Sequence, residues 1–203
     1  YKNIYYNIFS KHVQSTIFSG YFLIFHKYTY IDMHRGAKII VKGCVKLGNK
    51  VTEKDKSQSI FLIRKNGLIK FEGNYTFGAG TNVQVFENAE FIVGGGGDTN
   101  IGVEIVCGKK IQFEDNVFLG RNVIVRDTNG EHYLSRQGYK TSRAVILGNH
   151  AWLCDRCTIM PGVHVYPGGI VGAGAFVTAD VPAFSIVSGN PAQVVDEEVY
   201  WKC

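Results

Sequence analysis

Cut every six residues, positions 147–182 read LGNHAW, LCDRCT, IMPGVH, VYPGGI, VGAGAF, VTADVP. The first position of each block is branched and apolar: Leu147, Leu153, Ile159, Val165, Val171 and Val177. The fifth is small or β-branched: Ala151, Cys157, Val163, Gly169, Ala175 and Val181. So short a period predicts a β-solenoid, with three blocks closing one roughly triangular coil. First and fifth residues then point inward and stack on the coils above and below. One coil cannot bury its own face, so stability must come from stacking.

The period continues upstream. FEDNVF, LGRNVI and Val125 put Phe113, Leu119 and Val125 in the same phase, and CGKKIQ from Cys107 and IGVEIV from Ile101 extend it backwards. FEGNYT, FGAGTN, VQVFEN and AEFIVG add Phe71, Phe77, Val83 and Ala89. Residues 94–100 read as a glycine-rich slip, and 126–144 as a long polar insertion. An insertion that breaks the period must loop out of the wall, where function usually sits. Alternation in AKIIVKGCVKLG suggests the first strands of the solenoid, followed by a polar loop at 49–59 and strands again from Ile60. The expected organisation is an N-terminal segment, partly helical, over 1–30, an all-β solenoid over 31–195 and a short tail over 196–203 that could start a helix.

A chain of 203 residues fits one domain with a substantial core. Net charge is +5 and the basic residues form no runs, which argues against nucleic acid as the main partner. Five cysteines, an odd number, with no paired framework point to reduced thiols and a cytoplasmic compartment. Cys154 and Cys157 form a lone CxxC without a second ligand pair, and Cys157 falls on an inward position, so packing is the preferred reading. The stretch IFSGYFLIFHKYTYI (17–31) is too short, and too interrupted by Gly20, His26 and Lys27, to span a membrane. It is read as packing on the solenoid's end or on a neighbouring subunit in preference to a peripheral membrane contact. No small-residue cleavage site follows it, so no signal peptide is expected. The first residue is Tyr1, which leaves room for an upstream segment.

The clean repeats, the looped-out His132 and the ending VTADVPAFSIVSGNPAQVV together resemble the hexapeptide-repeat acyltransferases, over roughly residues 31–195. Within them the pattern is most similar to the maltose and galactoside acetyltransferase branch and to polysaccharide O-acetyltransferases. The resemblance implies a left-handed parallel β-helix, against the usual handedness of parallel crossovers. It also implies acetyl-CoA as donor, a sugar or surface glycan as acceptor, and a homotrimer with clefts between adjacent subunits.

Such a transfer needs a base for the attacking hydroxyl, donors for the oxyanion and a rigid surface for both substrates. A histidine suits the first task because imidazoles titrate near neutrality. His132, in RDTNGEHYL, resembles the family's Asp-x-Asp-Gly-His loop, whose histidine is the general base. The match is imperfect: Glu131 is interposed, and Asn129 stands where an acid is common. Asp127, Glu131 or a backbone carbonyl is left to orient the ring. Asn100 stands at the spacing of a family asparagine that faces the acceptor; as a turn residue it needs no such role. Trp152, in LGNHAWL, resembles a family tryptophan near the thioester; packing on a neighbouring subunit is the alternative, and both can hold. Ala173 and Thr178 match positions along the pantetheine arm, and Pro191 and Ala192 the end of that groove. Gln193 stands where the family carries a basic residue, with Asp196 close behind, so Lys140 or Arg143 must serve the nucleotide end.

Competing functions are weaker. A zinc lyase on the same fold needs three gathered histidines, and His132, His150 and His164 are out of phase, so no metal is expected. N-acetylation of a nucleotide-linked amino sugar would use the same residues, but no N-terminal dinucleotide-type motif accompanies it. A non-catalytic scaffold would need neither His132 in an insertion nor the GNPA ending.

Overall fold

The computed structural model describes every residue except Glu131, Tyr133, Leu134, Arg136 and Cys203. Three parallel sheets form the sides of a solenoid. The first runs from Val13–Gln14 to His164–Val165 and the third from Thr29–Met33 to Phe176–Val177. The second runs from Phe22–Phe25 through Trp152–Leu153 and Ile170–Val171 to Ile186–Gly189. The chain visits the three sheets in turn, so each strand pairs with the strand one coil earlier and one coil later.

The inward positions predicted for 147–182 are all buried, Leu147, Ala151, Leu153 and Cys157 completely so. Here the coils are 18 residues long, with Leu147 beside Val165 and Leu153 beside Val171. Upstream they are wider. Phe71 pairs with Val93 and Val93 with Phe113, steps of 22 and 20 residues. The strands there are four residues long with two inward side chains each, such as Phe91 and Val93 in Glu90–Val93. The extra width is filled by rings. Phe77 lies within 6.4 Å of Phe61, Phe71, Tyr75 and Phe91, centroid to centroid. Aromatic filling at one end and Val, Ala and Cys at the other give the solenoid its taper.

Several sequence expectations need correction. The solenoid begins at Val13, not Ile31: Val13 pairs with Ile39 and Phe22–Phe25 with Cys44–Leu47, completing a coil within the expected N-terminal segment. Ile101 is not an inward residue, because the 20- to 22-residue coils break the six-residue phase; Val103 and Ile105 point inward instead. The 94–100 stretch is no slip, since Gly97–Thr99 is a regular strand of the second sheet. The tail does not start a helix. Ala192–Asp196 folds back antiparallel on Ile186–Gly189 and closes that end of the second sheet.

The other end is closed by side chains. Lys2–Ile4 and Tyr5–Phe9 make a short helical cap over the open edge of Phe22–Phe25. Asn7 accepts from Leu23 N at 2.7 Å and donates to Leu23 O at 2.8 Å, and Asn3 accepts from Phe25 N at 2.7 Å. Asparagines four apart satisfy an edge that would otherwise invite another strand.

Phe77→Ala, at the centre of the ring cluster, is expected to cost about 3–5 kcal/mol. The check is the midpoint of chemical denaturation against wild type.

Candidate active site

The insertion leaves the wall where the third sheet turns into the first. Its neck is a short antiparallel ladder. Arg143 N donates to Asp127 O at 2.8 Å, Asn129 N donates to Thr141 O at 3.1 Å, and Thr128 faces Ser142. Asp127 anchors it. The side chain is fully buried, and its carboxylate accepts from the amides of Gly108, Lys109 and Lys110 at 2.5–2.8 Å. Burial pushes the Asp127 carboxyl pKa up, against the pull of those three amides. A carboxylate that accepts from three amides ties the insertion to the preceding corner.

His132 is exposed on the insertion. Glu131, its other expected partner, lies outside the described residues. Asn129 is occupied elsewhere, donating from Nδ2 to the Tyr139 hydroxyl at 2.8 Å.

Beside the neck is a cavity of about 340 Å³. Asn129, Tyr139, Lys140 and Arg143 line it from the insertion, and Met160, Pro161 and Thr178 from the wall. Met160, Pro161 and Thr178 occupy successive turns at that same edge of the solenoid. Lys140 and Arg143 are exposed, and among the described residues neither is paired with a carboxylate. Gly162 has φ +93°, and a Cβ there would lie 3.0 Å from Arg143 Nε and Cζ. Glycine therefore leaves room for the guanidinium to cross the turn.

The other expected site residues lie elsewhere. Asn100 and Ala173 are exposed on turns between the second and third sheets, and Pro191, following a cis peptide bond, lies in the hairpin turn that joins the last two strands of the second sheet. Ala192 starts the terminal strand and packs on the core. No hydrogen bond joins this group to the insertion among the described residues. Gln193 lies on the same terminal strand, so Lys140 and Arg143 of its own chain stand at a different edge.

Trp152 is on the outer face of the second sheet, 39% exposed. Its neighbour is a residue that sequence reasoning missed. Trp201, returning with the tail, packs 5.4 Å from Trp152 and stacks on His150 at 3.9 Å. Trp201 Nε1 donates to His150 O at 3.1 Å, and the His150 ring nitrogen Nε2 lies 3.0 Å from Trp201 O. Nothing periodic in EVYWKC announces this return. Met160 and Pro161 were equally hidden, because a repeat marks which residues point in and leaves the others undistinguished.

The CxxC is a packing feature. Burial pushes the Cys157 thiol up to about 12, and burial and then Asp155 raise that of Cys154. Among the described residues no three His, Cys, Asp or Glu side chains gather as a metal site.

No family model matches the chain. The galactoside O-acetyltransferase of Escherichia coli K12 is 28% identical over 123 residues, 60% of this chain and 57% of that protein. The Escherichia coli K12 protein WbbJ, named for lipopolysaccharide-biosynthesis O-acetyl transfer, is 24% identical over 144 residues, 66% of this chain and 74% of that one. The solved structure of the polySia-specific acetyltransferase NeuO superposes with a TM-score of 0.58 at 20% identity, covering 88% of this chain and 84% of that one. The chain resembles the hexapeptide-repeat acetyltransferases. Its fold is the left-handed parallel β-helix. The chain thus matches little more than half the length of the galactoside enzyme.

Asp127→Ala is expected to strand three buried amides and to lower stability by about 1–3 kcal/mol. Asp127→Asn, which keeps one accepting oxygen, is expected to fall between it and wild type. Thermal melting of the three proteins checks the order.

Proposed function

We propose that the protein is an acetyl-CoA-dependent O-acetyltransferase acting on a hydroxyl of a sugar or surface polysaccharide, with His132 as general base. The carrying observation is the cavity at the insertion's neck. There two cations with no carboxylate partner among the described residues, a tyrosine and the Thr178 turn come together on the edge from which the insertion projects. Names of relatives that acetylate galactosides, lipopolysaccharide and polysialic acid support the acceptor class.

In this reading Lys140 and Arg143 meet the phosphates of the donor, the task for which Gln193 is unsuited. Met160, Pro161 and Thr178 give the arm a largely apolar wall. The imidazole of His132 takes the proton of the acceptor hydroxyl as its oxygen attacks the thioester carbonyl. The tetrahedral intermediate then collapses, the C–S bond breaks, and the imidazolium returns its proton to the departing thiolate.

The site is completed by a second copy in a homotrimer. His132 and Thr178 stand at one edge of the solenoid, Asn100, Ala173 and Pro191 at another, and Trp152 on the face beside the latter. Only a neighbouring chain can bring one edge to the other. Buried free thiols support a reducing, cytoplasmic setting.

Thiol release from acetyl-CoA, followed against a panel of sugars and capsular glycans, tests the reading. Acceptor-dependent turnover is expected to fall about 10²–10⁴-fold in His132→Ala. Arg143→Ala is expected to raise KM for acetyl-CoA with a smaller change in kcat. Undiminished turnover in His132→Ala would remove the histidine from the chemistry.

A further inference from the structure

The cap that closes the wide end of the solenoid has its polarity reversed. Asn3, Tyr6 and Asn7 face the first coil, where Tyr6 packs 5.0 Å from Phe25. A surface helix would then turn polar residues to solvent. This one turns out Ile4, Tyr5, Ile8 and Phe9, between 48% and 70% exposed. A second projection stands at the same end. The chain reverses between Thr16 and Tyr21 around the turn Ile17–Ser19, and Phe18 at its tip is 105% exposed. So the packing expected for 17–31 holds for Leu23 and Phe25, while Ile17, Phe18 and Tyr21 stay uncovered.

Charge is distributed in the same sense. Residues 1–56 carry ten Lys and Arg against three Asp and Glu, whereas residues 57–203 carry twelve against fourteen. No acid occurs before Asp32. Lys11 and Lys27 are exposed on the end coil, and Lys27 and Lys50 approach the ring of Tyr28 at 5.5 and 4.7 Å. No helix among the described residues is long and apolar enough to cross a membrane.

We propose that this end of the solenoid docks on an anionic lipid surface, with Ile4, Ile8, Phe9 and Phe18 entering the headgroup boundary and Lys11 and Lys27 of the same end coil meeting lipid phosphates. Shallow insertion of an apolar face ringed by lysines is how an interfacial segment binds without spanning. The lipid assignment rests on the apolar side chains. An acidic glycan would be met by the same lysines but would have no use for four uncovered hydrophobic residues. The docking does not depend on the acyl-transfer reading, since the cap and the insertion are separated along the solenoid.

Co-sedimentation with vesicles tests it. Wild type is expected to bind phosphatidylcholine–phosphatidylglycerol vesicles, to bind phosphatidylcholine alone much more weakly, and to be released by added salt. The triple variant Ile8→Ser, Phe9→Ser, Phe18→Ser is expected to lose roughly tenfold or more in partitioning. Lys11→Gln with Lys27→Gln should weaken binding to the anionic vesicles alone, and it keeps the test open should the triple variant fail to fold. Three results would overturn the proposal: no co-sedimentation of wild type, binding by both variants equal to that of wild type, or concentration-dependent pairing of assemblies that the triple variant abolishes. The last would mean that a second copy covers this face.

Discussion

No coil of this solenoid can bury its own inward side chains; each relies on the coils before and after it. That constraint fixes the size of every inward residue by its neighbours along the axis. Where coils are 22 residues long, phenylalanines and Tyr75 fill the section; where they shorten to 18, valine, alanine and cysteine suffice. Because the walls are held by stacking, a corner can open without loss of the rest. The insertion after the third-sheet strand Ile124–Arg126 uses that freedom, and buried Asp127 fixes where it leaves.

Rigid walls also bear on the proposed division of the site. The turns of a flat-sided solenoid lie along three separate edges, and the neck cavity lies at one of them. His132 with the Thr178 turn, and Asn100 with Ala173 and Pro191, cannot approach each other by any small motion within one chain. The lining of the neck cavity supplies charge and an apolar wall, and in the proposed chemistry the other edge supplies the rest. Association of copies is therefore part of the proposed chemistry, since the surface of a single chain is incomplete for it.

Legibility in the sequence follows the same physics. Residues 147–182 could be read position by position because short coils allow one inward residue at each fixed step. The wide coils run 20 to 22 residues, so a six-residue count drifts, and it placed Ile101 on the wrong side of the wall. The first coil was hidden because Phe22, Ile24 and Tyr21 are apolar but face outward, which blurs the alternation that marks a strand. His132 stands out in the sequence because it lies in a stretch that interrupts the repeat, and Cys157 was assigned to packing by its phase. The anchoring part of Asp127 could not be read locally, because its three amide partners come from a corner 17 to 19 residues earlier. The return of Trp201 onto His150 and Trp152 had no local signal, since it depends on the antiparallel turn that sends the tail back.

The measurement that bears most directly on a site assembled between copies is complementation between two inactive variants. His132→Ala removes the proposed base from one edge, and Asn100→Ala combined with Trp152→Ala disables the other edge and its adjoining face. Each protein alone should be nearly inactive in acetyl transfer. If the site joins two chains, mixed trimers formed by co-expression regain activity, because some interfaces bring an intact His132 edge to an intact Asn100 and Trp152 surface. If mixed trimers form and no activity returns, all the residues act within a single chain, and the division of the site between subunits is wrong.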